Sequence, residues 1–333
     1  MAIMSGAAPA TVTNPGPALA AATLVPAGRF LDGRLGVDHP VGWWPSKAQL
    51  KSYEAAGFAC VQVRMPARSL LADEQAVVAH AAGLRDALRL TGLRLILHAP
   101  DDLLAGTPEH DRQLEGALSY ASVAGSTLIV YHGARIPITQ AGVRERLADE
   151  ERSLRRILPR AGRLGVRIAI ENLAPVYPGI EYVCHDPSAV AALVRRLDHE
   201  YAGMCLDVGH AHIAAALAGC ETIELIDPVL ERVIIFHVHD NLGARTRVPC
   251  RGGIEPVRLD LHLPPGAGTV PWYEIAPRIA SHSALVQLEV HPAGRPEPTT
   301  LAILTREVLA RAAPQNGPDR RPRRKRPASV IKT

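Results

Sequence analysis

Short, continuously apolar runs alternate with longer amphipathic segments along most of this chain, and that alternation restricts its folds more than any composition figure does. The runs are FACVQVR (58–64), LRLILHA (93–99), STLIVYHG (126–133), VRIAIEN (166–172), AGMCLDV (202–208), RVIIFHVH (232–239) and ALVQLEV (284–290), with RLGVD (34–38) as a weaker first member. They are too short for globular helices and too uniformly apolar for a sheet with one wet face, so they read as strands buried on both faces of a parallel sheet. The segments between them, 46–57, 70–91, 109–124, 143–164, 187–197, 211–231 with a break at Gly219, 271–281 and 299–312, carry helical patterns. Asp186-Pro187 and Val270-Pro271 are helix-start signals for two of these.

Strict strand–helix alternation predicts either a closed (β/α)8 barrel or an open doubly wound sheet. The polar residues decide between them. His98, His132, Glu171, Asp207, His237 and Glu289 each fall at or beside the carboxyl end of a different predicted strand, the third to the eighth. A barrel gathers those ends into one mouth, whereas an open sheet strings them along an edge. No G-x-G-x-x-G follows the first strand and no G-x-x-x-x-G-K-[ST] occurs, which removes support for a nucleotide cradle. The expected fold is a single-domain TIM barrel over residues 28–312.

With 333 residues and 47% hydrophobic composition the chain can bury one large core. Residues 1–27, rich in Ala and Pro, read as a disordered leader; they show neither a basic n-region nor an apolar run of signal-peptide or membrane length. Residues 313–333 read as a basic, disordered tail. The net charge of +4 comes from that tail: DRRPRRKRPASVIKT holds seven Lys/Arg against one Asp, leaving 30 Lys/Arg against 32 Asp/Glu in residues 1–318. A slightly acidic body does not have the composition of a nucleic-acid binder. Five scattered cysteines, none in a C-x-x-C pair, argue against a disulfide framework and fit a reducing, cytoplasmic setting.

A single histidine at a strand end is more often a hydrogen-bonded structural residue than a ligand. The set as a whole reads differently. Glu171 follows VRIAI and Glu289 follows ALVQL, so two carboxylates emerge from core runs where an uncompensated charge is costly, and imidazole with carboxylate suits zinc, manganese or iron. In CLDVGHAH (205–212), Asp207 and His210 stand three apart as the chain turns towards a helix, while His212 reads as a surface or supporting residue. In FHVHDN, His237 and His239 share a strand face by period two; His237, still inside the apolar run, is the better ligand, and His239 is expected to have left the strand. Asp260 and His262, two apart in RLDLHLPPGAGTVPW (258–272), would point the same way in an extended segment, with Pro-Pro-Gly-Ala-Gly turning the chain back.

At this point the sequence resembles the xylose-isomerase-like TIM-barrel superfamily, which includes sugar (phosphate) isomerases and epimerases and the endonuclease IV family. The resemblance rests on IVYHG (129–133), IAIEN (168–172), CLDVGH (205–210), FHVHDN (236–241), DLHLPPGAGTV (260–270) and LEV (288–290), in family order across roughly residues 30–312. Its epimerase members imply one divalent ion (manganese, zinc, cobalt, magnesium or iron) held by Glu171, Asp207, His237 and Glu289. They also imply that Glu171 and Glu289 are catalytic, moving a proton alpha to a carbonyl through an enediolate, with His210 touching a small polyhydroxy carbonyl substrate. That is the first functional expectation. Homo-oligomers are implied by resemblance only.

Endonuclease IV, with a larger His, Asp and Glu set, implies the alternative. His98, His132, Glu171, Asp207, His210, His237, Asp260, His262 and Glu289 match that set in type and order, and two or three ions would suit phosphodiester hydrolysis. The segment after His98 lacks the expected aromatic-and-Asn pattern, and the acidic body lacks a basic face for DNA. His98 and Arg251 are further candidate substrate contacts; Arg251 shares its loop with Arg245, Arg247 and Arg258, which could grip a phosphate or simply be solvated. Trp43-Trp44 could stack on a sugar or pack a helix against the barrel.

Overall fold

The computed structural model describes residues 29–40, 44–175, 181–243 and 260–312. Eight parallel strands close into a barrel in sequence order: β1 (Leu35–Asp38), β2 (Cys60–Arg64), β3 (Arg94–His98), β4 (Leu128–Tyr131), β5 (Arg167–Glu171), β6 (Ala202–Asp207), β7 (Val233–Val238) and β8 (Leu285–Leu288). Closure is made by β1 against β8, in the register Leu35 with Val286 and Val37 with Leu288. Each strand lies inside its predicted apolar run, so the expected barrel is the observed one.

Two apolar layers hold it. A small interior cluster of Cys60, Ile96, Leu128, Val130, Ala169, Cys205 and Ile235 fills the barrel, while the large cluster lies between sheet and helices. This is the residue alternation that a closed parallel sheet requires, with inward and outward side chains both buried. Cys60, Cys184, Cys205 and Cys220 are free thiols. Among the described residues no helix is long and apolar enough to cross a membrane.

The helices Val143–Leu164 and Pro187–Leu197 have the predicted limits, and Asp186 caps the second by accepting from the Ser188 amide at 2.8 Å. Two segments differ from expectation. The 70–91 segment is two helices, Arg68–Leu71 and Glu74–Leu88, because Asp73 caps a new start by accepting from the Ala76 amide. The helix expected from residue 211 begins at Val208, since Asp207 is both the last residue of β6 and the N-cap, its carboxylate accepting from the His210 amide at 2.7 Å. Its C-cap is Gly219, whose φ of 74° suits a residue without Cβ. The leader 1–27, the tail 313–333, Trp43, Cys250 and the arginines 245, 247, 251 and 258 lie outside the described residues.

Candidate metal centre

The strand ends bring the predicted residues to one mouth. His98, Glu171 and Asp207 are the last residues of β3, β5 and β6; His237 is the penultimate residue of β7; His132 and Glu289 lie just beyond β4 and β8. Glu171 is at the centre of the first group. Its Oε1 lies 2.9 Å from His237 Nδ1, and its Oε2 lies 3.3 Å from His98 Nε2 and 3.2 Å from His132 Nε2. Glu289 Oε1 approaches the same His237 nitrogen at 3.3 Å.

The second group is built on Asp207 and the segment after residue 260. His210 Nε2 lies 3.0 Å, and His262 Nε2 2.8 Å, from Asp260 Oδ2. His262 is not in the extended conformation expected of it: its φ is 46°, and this left-handed turn still delivers its ring to the carboxylate two residues earlier. The turn is tied down by more than its prolines and glycines. Buried Asp240 accepts from the amides of Asn241, Gly266 and Val270 and from Trp272 Nε1, at 2.8–3.0 Å, so the returning chain is clamped to the end of β7.

His239, expected to leave the strand, lies one residue past its end yet is fully buried, 3.0 Å from the Asp207 carboxylate. Period-two spacing from His237 was the available signal for it. Gln62 in β2 was also missed; it donates to Glu289 Oε1 and its Oε1 lies 3.0 Å from His237 Nε2. A polar glutamine within the apolar run FACVQVR is its only trace in the sequence. His212, read as a supporting residue, sits between Thr222 and Thr269 hydroxyls at 2.8 and 2.9 Å.

The proton inventory of these imidazoles fits divalent ions. Nδ1–H of His98 donates to the Ala99 carbonyl at 2.7 Å, that of His210 to the Asn172 carbonyl at 2.8 Å, and that of His262 to the Glu289 carbonyl at 2.8 Å. Each therefore presents Nε2 to a carboxylate-lined space. His237 is turned the other way: Gln62 Oε1 takes its Nε2–H and Nδ1 faces the glutamates. Backbone or side-chain acceptors on the far nitrogen are what fix a ligating tautomer. His132 Nδ1 is buried without a hydrogen bond, an orphaned polar atom at the edge of the first group. Among the described residues, ligand atoms lie close together in four sets: three that share Glu171 (with His98 and His132; with Cys205 and His237; with Asp207, His237 and Glu289) and a separate one of His210, His239, Asp260 and His262.

Electrostatics agree. Burial alone would raise the Glu171 pKa, but His237 and hydrogen bonds with His132, His237 and His98 hold it well below the usual carboxylate range. Burial likewise opposes ionisation of Asp260, and His210 and His262 reverse it. His262 is raised to about 9 against its burial, chiefly by Asp260. His132 is lowered, mainly by burial, and is left neutral.

Two cavities open on this mouth. One of about 200 Å³ is lined by Asp38, Gln62, Arg64, His262 and Glu289; another of about 780 Å³ is lined by Trp44, Arg64, Met65, Pro66, Pro100 and Asp101. Arg64 belongs to both, and bonds Asp101 at 2.6 Å. Trp44 meets His80 edge-on at 4.4 Å and lies against Gly83, so it packs a helix while walling the larger cavity.

Residues 50–306 match the family model described as xylose isomerase-like TIM barrel. The chain belongs to that family. Solved structures sharing its fold include a D-tagatose 3-epimerase-like protein, 19% identical with a TM-score of 0.59 over 84% of this chain and 96% of that one. The 3-keto-D-glucoside 4-epimerase YcjR of E. coli is 16% identical with a TM-score of 0.58, over 84% of this chain and 98% of that one. At such identities the likeness to these sugar epimerases is one of fold. The uncharacterized protein MJ1311 of Methanocaldococcus jannaschii is 26% identical over 195 residues, 56% of this chain and 60% of that protein, so the match spans less than two thirds of that relative.

Proposed function

We propose that this family member is a divalent-metal-dependent hydrolase of small phosphate esters, with a centre for at least two ions. The observation that carries this reading is the division of the Glu171 carboxylate, one oxygen towards His237 and the other towards His98 and His132. A carboxylate so divided suits a bridge between two ions. It is poorly suited to act as a base towards carbon, because imidazoles approach both of its oxygens.

On this reading Glu171, His98 and His132 would hold one ion, Glu171, Asp207, His237 and Glu289 another, and His210, Asp260 and His262 would offer a third set. Bound ions there would supply Lewis acidity towards a phosphoryl oxygen and lower the pKa of a water molecule. The chain's own groups do the rest. Glu289, which lines a cavity, would serve as a ligand whose carboxylate is oriented by the Gln62 amide. Arg64 opposes the phosphate charge from the junction of the two cavities. The acidic body favours a small ester over a nucleic acid.

One observation favours the isomerase or epimerase reading: Glu171 and Glu289 flank His237 Nδ1 at 2.9 and 3.3 Å, so two carboxylates face one position, and proteins of like fold are sugar epimerases. The metal-to-protein ratio of the purified chain, measured by elemental analysis beside Asp260→Ala, separates the two. A ratio of two or three that falls in the variant, with turnover of bis(p-nitrophenyl) phosphate or p-nitrophenyl phosphate, supports the hydrolase. A ratio near one, unchanged in the variant, with turnover in ketose screens, overturns it in favour of the epimerase.

A further inference from the structure

We propose that His239 is a positioning residue for the Asp207 carboxylate, and that Gly209 is glycine because the His239 ring occupies the space of its side chain. The inference rests on Asp207 being a metal ligand, as proposed above. Its starting point is a chain of hydrogen bonds that fixes one tautomer. The Leu261 amide donates to Asn241 Oδ1 at 2.6 Å, which sets the orientation of that side-chain amide. Asn241 Nδ2 then faces Asp260 Oδ1 at 3.3 Å and His239 Nδ1 at 3.4 Å. A donor facing Nδ1 makes that nitrogen the acceptor, so the proton of a neutral ring is on Nε2. Nε2–H is 3.0 Å from the Asp207 carboxylate and donates to it.

This assignment separates His239 from the other imidazoles of the mouth. His98, His210 and His262 spend Nδ1–H on backbone carbonyls and turn Nε2 to the carboxylates, where an ion can take the place of its proton, whereas His239 accepts an amide at Nδ1 and keeps its proton on Nε2, facing its carboxylate. It therefore orients a ligand without being one. Asp207 has few orientations left: its oxygens also take the His210 amide, and its backbone is gripped by the Asn172 side chain at 2.9 and 3.0 Å.

Gly209 and His262 confine the ring from two sides. A Cβ on Gly209 would stand 2.2 Å from His239 Cε1, 2.5 Å from Nδ1 and 2.7 Å from Nε2, distances no side chain tolerates. On the other side the His262 ring is stacked at 3.8 Å between centroids and 12° between planes. A packed ring with so little room cannot retreat from an added methyl without releasing Asp207. The glycine between Asp207 and His210 is thus explained by a histidine thirty positions later.

The test uses the full chain stripped of metal, titrated with zinc against a chromophoric chelator, in wild type, His239→Ala, His239→Gln, Gly209→Ala and the double variant Gly209→Ala/His239→Ala. Thermal unfolding of the metal-free forms reports folding separately. His239→Ala should weaken zinc binding at one site by about 10- to 100-fold, the range found for groups that orient ligands. His239→Gln, which restores an N–H donor, should recover most of that loss and leave the visible spectrum of the cobalt-loaded protein as in wild type. Gly209→Ala should reproduce the His239→Ala loss, and the double variant should be no worse than either single one. Unchanged zinc affinity in His239→Ala overturns the proposal alone, as does a cobalt spectrum altered in His239→Gln, which would make His239 a direct ligand. A wild-type protein that binds no zinc or cobalt overturns both this inference and the proposed function. Should Gly209→Ala fail to fold, the two His239 variants decide the matter.

Discussion

Glu171 Oε1 stands 2.9 Å from His237 Nδ1, joining the end of β5 to the end of β7 across the barrel mouth. Both groups are buried: His237 and the hydrogen bonds of three imidazoles hold the glutamate low against the cost of burial, and Cys205, Glu289 and Glu171 together hold the histidine well above its usual range. Glu171→Gln keeps the volume and removes the anion on which three imidazoles converge. It should lower activity by at least about 100-fold and reduce bound metal by more than the share of a single ion, since a bridging ligand serves two. Elemental analysis beside steady-state rates checks this. Full metal content with lost turnover would instead point to Glu171 as a proton-transfer base.

Asp240 gives a second expectation. One buried carboxylate accepts from three amides and from Trp272 Nε1, and three of those four donors (Gly266, Val270 and Trp272) belong to the segment that delivers Asp260 and His262. Asp240→Ala strands several buried donors at once, so it should cost about 3–5 kcal/mol of stability. Metal content should fall to that of Asp260→Ala, because the same segment carries both ligands. Denaturant unfolding and metal analysis of the purified variant test the two halves separately. Loss of stability with full metal content would show the segment held by other contacts.

These residues also mark where sequence reading succeeds. Strands buried on both faces leave continuous apolar runs, so Glu171, Asp207 and Glu289 were legible as charges at the ends of core segments. His239 was not, because a strand end is uncertain by a residue or two and its burial depends on Gly209, thirty residues away. The His262 φ of 46° lies in the segment clamped at Asp240 and leaves no period in the sequence. Gln62 is not legible in the sequence, because its role is fixed by two partners from β7 and beyond β8, brought to it only by closure of the barrel.

Arg64 lies at the junction of the two cavities, with its side chain 42% exposed and paired to an equally accessible Asp101. A pair so exposed contributes less than about 1 kcal/mol, so Arg64→Met should leave stability nearly unchanged. If Arg64 receives the anionic part of the substrate before and during reaction alike, KM should rise by about tenfold and kcat should change by less than about twofold. Steady-state kinetics with a p-nitrophenyl phosphate ester decides the point. A drop in kcat at constant KM would mean that the arginine acts only in the transition state.

Glu150 carries a pH expectation away from the ligands. It is fully buried, accepts from Tyr131 Oη at 2.7 Å and from the Ala134 amide at 3.0 Å, and burial pushes its pKa up to about 7 despite those bonds and the nearby Arg146. A carboxyl whose folded pKa lies above its unfolded value of 4.5 stabilises the fold fully below that value, and the contribution disappears as pH rises through 7. The displacement corresponds to about 3 kcal/mol at most. Glu150→Gln cannot ionise, so the stability of wild type relative to this variant should fall by up to that amount between pH 4.5 and pH 8. Urea unfolding of both metal-free proteins across the range measures it. A gap that stays constant, or that widens in favour of wild type as pH rises, would mean that Glu150 remains ionised and that the Tyr131 and Ala134 donors outweigh its burial.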